Sequence, residues 1–342
     1  MYLETTTISA PAAAPAPRLV AGLDALARMI SYRRPAGSRT ESNFIKKWLL
    51  PLGLKQDDYG NLYIRIGETN VMWSSHTDTV HRTTGIQNVV CAKGLVKLAK
   101  SERESNCLGA DCTAGVWLMR EMILAGKPGL YIFHREEEIG GHGSRHIADK
   151  RNDLLEGIQI AIAFDRKGTT SVITHQFGRC CSDLFASQLA GLLGGGFTLD
   201  DGGIFTDTAN YTHLIPECTN ISVGMEHCHS PKETLDMEFL LDLRERLINL
   251  DTNLLIVSRN PLIDTDDPHP LDWNKDDRDW LSDIRSGRTV DLDRASRMGM
   301  SDIVREFPDE VADFLECYGV DEEQLVKHVE HSLGLRRRYG GK

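Results

Sequence analysis

The chain has 342 residues, is 41% hydrophobic and 26% charged, and so is neither a disordered polymer, a collagen-like repeat nor a small disulfide-stapled scaffold. Its net charge of −11 is uneven: residues 262–342 hold 20 Asp and Glu against 12 Lys and Arg, whereas the first 261 hold 30 against 27. With no broad basic face, nucleic-acid binding is not expected, and no segment reaches the roughly 20 apolar residues of a membrane span.

In chain order, residues 1–18 read as an Ala/Pro leader with neither the basic start nor the apolar core of a secretory signal. Residues 19–32 carry apolar positions at helical spacing. NLYIRIG (61–67) alternates like a strand after the turn DDYG, and VMWSS (71–75) is a short apolar run that stops at His76. VVCAKG and LVKLAKS predict a two-stranded excursion, and DCTAGVWLMREMILAG predicts a helix from about Thr113 to Gly126. Three more strands are expected in GLYIF (129–133), QIAIAF (159–164) and CTNISVG (218–224). Strands alternating with helices predict an α/β fold, a mostly parallel mixed sheet with helices on both faces, over residues 19–260. From Pro261 an acidic, Pro-containing linker leads into short helical segments, a small appendage over 261–342. Pro308 suits a first helical position, Asp321 with Gln324 resembles a capping box, and Arg336, Arg337 and Arg338 read as a solvated tail.

The eight cysteines form no C-x-x-C pair. Without an export signal they read as reduced thiols of a cytoplasmic protein, and Cys180–Cys181 as packed thiols.

His76, the run Glu136–Glu138, Asp165 and His229 each fall at or just past the C-terminal end of an expected strand. That edge of an open α/β sheet is where ligands bind. With Asp111 they make a mixed imidazole and carboxylate set of the kind that holds zinc or a similar divalent ion. Two ions side by side need a spanning carboxylate, and a further carboxylate beside a ligand can act as general base.

SSHTDTV, LGADCTAGV, REEEIGGHGS, IAFDRKG and EHCHSPKETLD occur in the order of the co-catalytic di-zinc exopeptidases (metallopeptidase clan MH), which the chain resembles over roughly residues 19–260. Only 35 residues separate His76 from Asp111, and 64 separate Asp165 from His229, too few for an inserted lid domain, so the likeness is to the lidless leucyl-aminopeptidase-like branch. The resemblance implies two Zn²⁺ ions, with Co²⁺ or Mn²⁺ as substitutes. His76 and Asp165 would hold one ion, Glu138 and His229 the other, and Asp111 would bridge them. Asp78 would orient the His76 ring, and Glu137 would be the general base. The triple glutamate leaves the register open by one residue, and His227 is an alternative to His229. Cys112 stands where the family often has a second Asp, and is not expected to touch the ions. Asp207 and Tyr211 are candidates for the substrate pocket, surface loop positions being the other reading. Arg166 and Arg179 either hold a substrate carboxylate or form ordinary ion pairs. His81, His134, His142, His146, His175 and His213 are expected to be structural or exposed.

The expected activity is hydrolysis of a peptide or other amide by an aminopeptidase-type exopeptidase. A di-metal deacylase or carboxypeptidase, a non-catalytic binding or scaffold protein on the same fold, and a thiol hydrolase using Cys112 or Cys228 are the rivals. The appendage is expected to serve contact with a second copy or another protein.

Overall fold

The computed structural model describes residues 18–262. The leader and, from residue 263 on, the acidic appendage lie outside the described residues. The strands are β1 (Tyr32–Arg33), β2 (Lys55–Gln56), β3 (Leu62–Ile66), β4 (Val71–His76), β5 (Gly85–Ile86), β6 (Val89–Ala92), β7 (Leu95–Leu98), β8 (Gly129–His134), β9 (Ile160–Lys167), β10 (Ser171–Ile173), β11 (Thr198–Asp200), β12 (Glu217–Glu226) and β13 (Thr234–Asp236). The α-helices are α1 (Arg18–Met29), α2 (Arg39–Phe44), α3 (Ala110–Leu124), α4 (His142–Lys150), α5 (Asp183–Leu193) and α6 (Met237–Asn249).

Eleven strands form one mixed sheet whose main path runs β2-β3-β8-β4-β9-β12-β13-β7-β6. Its centre, β8-β4-β9-β12, is parallel, and both flanks are antiparallel. Every residue of β4 and β8 is buried, which is why neither alternates between apolar and polar positions. Successive side chains leave a strand on opposite sides. Thus Ser75 meets Cys112 of α3, while Ser74 meets His134, whose far nitrogen meets Tyr211 in the 3₁₀ turn Asp207–Tyr211. Helices α1 and α6 pack on α3, with the Trp117 indole donating to the Gly22 carbonyl at 2.8 Å. The 3₁₀ turn packs on β4, β9 and β12 at the other face, with α4 against it.

Neither gap between ligand motifs holds a separate domain. Strands β6 and β7 extend the main sheet through β13, and β10 and β11 join it through β12. Among the described residues no helix is long and apolar enough to cross a membrane. The seven described cysteines are thiols, and Cys180 and Cys181 are both buried, pointing at the Ile173 carbonyl.

Two elements depart from the expected spans. Strand β9 continues to Lys167, so Asp165 lies within it rather than past its end. The pairing with β12 is irregular between Asn220 and Ser222 and again between Ser222 and Met225, and the Asp165 N–H donates to the Asn220 side chain at 2.9 Å. Helix α3 spans Ala110–Leu124, but Asp111 and Cys112 have non-helical backbone angles, so its regular part starts at Thr113. The Asp111–Cys112 peptide is cis.

Candidate metal centre

His76 ends β4 and is fully buried. Its Nδ1 donates to the Asp78 carbonyl at 3.1 Å, with an Asp78 carboxylate oxygen 3.5 Å away. The ring is thereby turned so that Nε2 faces Asp111 Oδ1 at 3.0 Å, Asp165 Oδ1 at 3.4 Å and Glu137 Oε2 at 4.0 Å. The buried Asp78 carboxylate also accepts the N–H groups of Glu137 and Glu138, each at 3.2 Å. One residue therefore orients the imidazole and the glutamate loop together.

The loop after β8 separates its three glutamates. Glu136, at φ +63°, turns outward to the Tyr59 hydroxyl. Glu137 faces His76, and Glu138 Oε2 lies 3.3 Å from His229 Nε2. His227 is exposed and belongs to none of the donor groups, whereas His229 Nε2 also lies 3.1 Å from Asp111 Oδ2. The two oxygens of Asp111 thus face two different imidazoles.

Two groups of donor atoms result, each with all its atoms within 4.8 Å of one another: His76, Asp111, Cys112 and Asp165, and Asp111, Glu138 and His229. They share Asp111. Glu138 Oε1 is buried and has no hydrogen-bond partner, as expected of an oxygen that awaits a cation. A third group, Asp57, Asp58 and His146, belongs to a turn in which the Asp57 oxygens are already taken by the N–H groups of Tyr59, Gly60 and Asn61 and by the Asn61 side chain.

The charges agree with a cation site. Burial, together with repulsion from Asp111, pushes Asp165 up to about 8. Burial raises Glu137 well above the usual carboxylate range, aided by Asp165, Glu138 and Asp207 and opposed by His76. Glu138 is likewise raised by burial and by Asp111. At His229 burial favours the neutral ring, but Glu138 and Asp111 outweigh it and raise the imidazole to about 12. For Asp111 burial is outweighed by its bonds to His229 and His76, which hold it below its ordinary value. Carboxylates packed this closely need positive charge, and His/carboxylate donors suit a zinc-like ion.

Several supporting residues carry no strong sequence signal of their own. Glu233, buried, accepts the N–H groups of Leu108 at 2.8 Å, Gly109 at 2.9 Å and Asp111 at 3.1 Å, and so fixes the turn that aims Asp111. Only its place in HSPKE marks it. Thr206 donates to Asp165 Oδ2 at 2.7 Å. The Arg135 guanidinium is held by the buried Glu41 carboxylate through bonds of 2.7 and 2.8 Å, which anchors the start of the glutamate loop. Asp207 and Tyr211 are not surface loop residues: both are buried, with Asp207 Oδ2 3.2 Å from His134 Nδ1 and the Tyr211 hydroxyl 2.7 Å from His134 Nε2. Arg166 pairs with Asp200 at 3.1 Å and Arg179 with Asp183 at 2.8 Å.

No protein-family model and no curated protein matches the sequence. Solved structures do match the fold. An aminopeptidase PepT of Bacillus cereus superposes with a TM-score of 0.53 at 15% identity, over 66% of this chain and 96% of that one. A tripeptidase of Staphylococcus aureus gives 0.51 at 15% identity, over 66% and 96%. The chain has the zinc-exopeptidase fold. An aminopeptidase of the archaeon Desulfurococcus kamchatkensis, at 13% identity and a TM-score of 0.50 over 71% of this chain and 96% of that one, shares this zinc-exopeptidase fold.

Proposed function

We propose that the protein is a metal-dependent amide hydrolase of the aminopeptidase type that uses two divalent ions, zinc by preference. The observation that carries this reading is Asp111, whose two oxygens lie 3.0 and 3.1 Å from the imidazoles of two separate donor groups, with Glu137 beside one of them. His76 and Asp165 would hold one ion, Glu138 and His229 the other, and Asp111 both. When bound, such a pair supplies a Lewis acid for the scissile carbonyl and makes water nucleophilic at neutral pH.

Glu137 makes no short bond to His76, which leaves its carboxylate to accept the proton of the attacking water and pass it to the leaving amine. Asp78 keeps Glu137 and the His76 ring in register through the two N–H bonds and the imidazole contact. Asp207 and Tyr211, the candidates for the substrate pocket, are buried and turned to His134, and on this reading they would support the site from behind that ring. The fold shared with an aminopeptidase PepT and a tripeptidase favours a peptide substrate with a free N-terminus.

Glu137→Gln in the zinc-loaded full chain should keep two ions by elemental analysis yet lose about 10²–10⁴-fold in hydrolysis of aminoacyl amides. Glu138→Gln should also lose metal. Loss of metal from Glu137→Gln alone would reverse the two roles. A fully loaded wild type that cleaves acyl amino acids but no aminoacyl amide or peptide would replace the aminopeptidase by a deacylase.

A further inference from the structure

We infer that Cys112 is a sulfur ligand of the ion held by His76, Asp111 and Asp165, so that one half of the centre is a mixed N/O/S site and the other an N/O site. This inference rests on the di-metal reading above. By family likeness Cys112 is a neighbour of the bridging residue and no more, but the fold puts its Sγ within 4.8 Å of the donor atoms of His76, Asp111 and Asp165.

The thiol is fully buried. Its Sγ lies 2.9 Å from the Phe164 carbonyl and 2.9 Å from the Ser75 hydroxyl, the residues immediately before Asp165 and His76. The sulfur therefore sits beside the stretch where the parallel strands β4 and β9 carry His76 and Asp165. The close approach of α3 is set by Gly115, where an added Cβ would lie 2.3 Å from the Phe164 carbonyl oxygen and 2.7 Å from the Cys112 Sγ. A second observation marks the place as a cation site: His76 Nε2, a single nitrogen, faces carboxylate oxygens of Asp111, Asp165 and Glu137 within 4.0 Å. One imidazole proton can serve only one of these oxygens well, whereas an ion can take several donors at once.

On binding, the Sγ–H gives up the Phe164 carbonyl to which it donates, its proton is lost to bulk water, and a sulfur lone pair forms the bond to the ion. Thiolate is a soft ligand, so this half of the centre should favour Zn²⁺ and Cd²⁺ over Mn²⁺.

The test uses the full chain, stripped with a chelator and reloaded with Co²⁺. The wild type should bind two equivalents and develop a thiolate-to-cobalt charge-transfer band in the near ultraviolet. Cys112→Ser should lose that band while keeping the visible ligand-field bands, and Cys228→Ser should keep both. Zinc X-ray absorption on the unmodified protein should find a sulfur neighbour at about 2.3 Å, and this measurement decides the matter if Cys112→Ser fails to fold. Cys112→Asp should lower the preference for Cd²⁺ over Mn²⁺ by at least about tenfold. Two bound cobalt ions without a charge-transfer band, or a band that survives Cys112→Ser, would overturn the inference and leave the di-metal reading standing. A wild type that binds no cobalt would sink both.

Discussion

His81 is 3% exposed and neutral for a clear reason. Its Nδ1 accepts from the Thr79 hydroxyl at 2.7 Å, and its Nε2–H faces the Gln87 side-chain oxygen at 3.0 Å and the Cys107 carbonyl at 3.1 Å. Burial, which the Gln87 bond only partly offsets, lowers the imidazole from 6.5 to about 4. The unfolded chain then binds the extra proton first as the pH falls, so the stability from this ring is complete above about 6.5 and is lost toward about 4. The loss should be of order 3 kcal/mol, read as a falling urea midpoint over that window, and His81→Asn should flatten the profile. Glu233 acts on the centre through backbone N–H bonds and through its charge beside Asp111 and His229. Its three N–H bonds hold the Leu108–Asp111 turn, so Glu233→Gln should weaken metal binding about 10–100-fold in a chelator competition while the far-ultraviolet dichroism is unchanged. An unchanged affinity would show that the turn aims Asp111 without it.

At the scale of elements, α3 and the paired strands β4 and β9 form the unit on which the centre depends. Gly115 is the contact point, and no side chain fits there: an added Cβ meets the Phe164 carbonyl oxygen at 2.3 Å and the Ser75 hydroxyl at 2.8 Å. Since the nearest atom is backbone, relief requires the helix to move. Gly115→Ala should cost about 1–3 kcal/mol in urea unfolding and should weaken metal binding with it, because Asp111 and Cys112 travel with the helix start. A second tie closes the body behind β12. The buried Glu217 carboxylate accepts the Ser182 N–H and hydroxyl at the start of α5, and the N–H groups of Ser258 and Arg259. Glu217→Ala strands several buried donors and should destabilise by about 3 kcal/mol, with metal affinity in the surviving folded fraction unaffected.

For the whole molecule, the donor residues and Glu233 all lie between His76 and Glu233, and the bonds of Glu217 close the chain back onto the sheet by Arg259. We therefore propose that residues 18–262 are a self-sufficient metal-binding unit and that the remainder contributes no ligand. A chain ending at residue 262 should fold cooperatively and take up the same two equivalents of zinc. A folded truncation that loads no metal would show that the acidic segment belongs to the centre.

Much of this arrangement is legible in the order of residues, because strands covered on both faces do not alternate between apolar and charged positions, and the ionisable residue that ends such a run stands at one edge of the sheet. VMWSS before His76 and GLYIF before the glutamates are of this kind, and they mark the rim without any contact being known. The regular helix starts at Thr113, as the spacing of its residues predicts. Which of three consecutive glutamates faces the centre is not local. It follows from Asp78, some sixty residues away, whose carboxylate takes the N–H groups of Glu137 and Glu138 while Glu136 turns out to Tyr59. The choice between His227 and His229, the burial of Asp207 and Tyr211, the grip of Glu233 on the Asp111 turn and the approach of the Cys112 sulfur to the donors have the same origin. Each depends on a distance between segments far apart in the chain, and residue type and spacing carry no record of such distances until the sheet has brought the segments together.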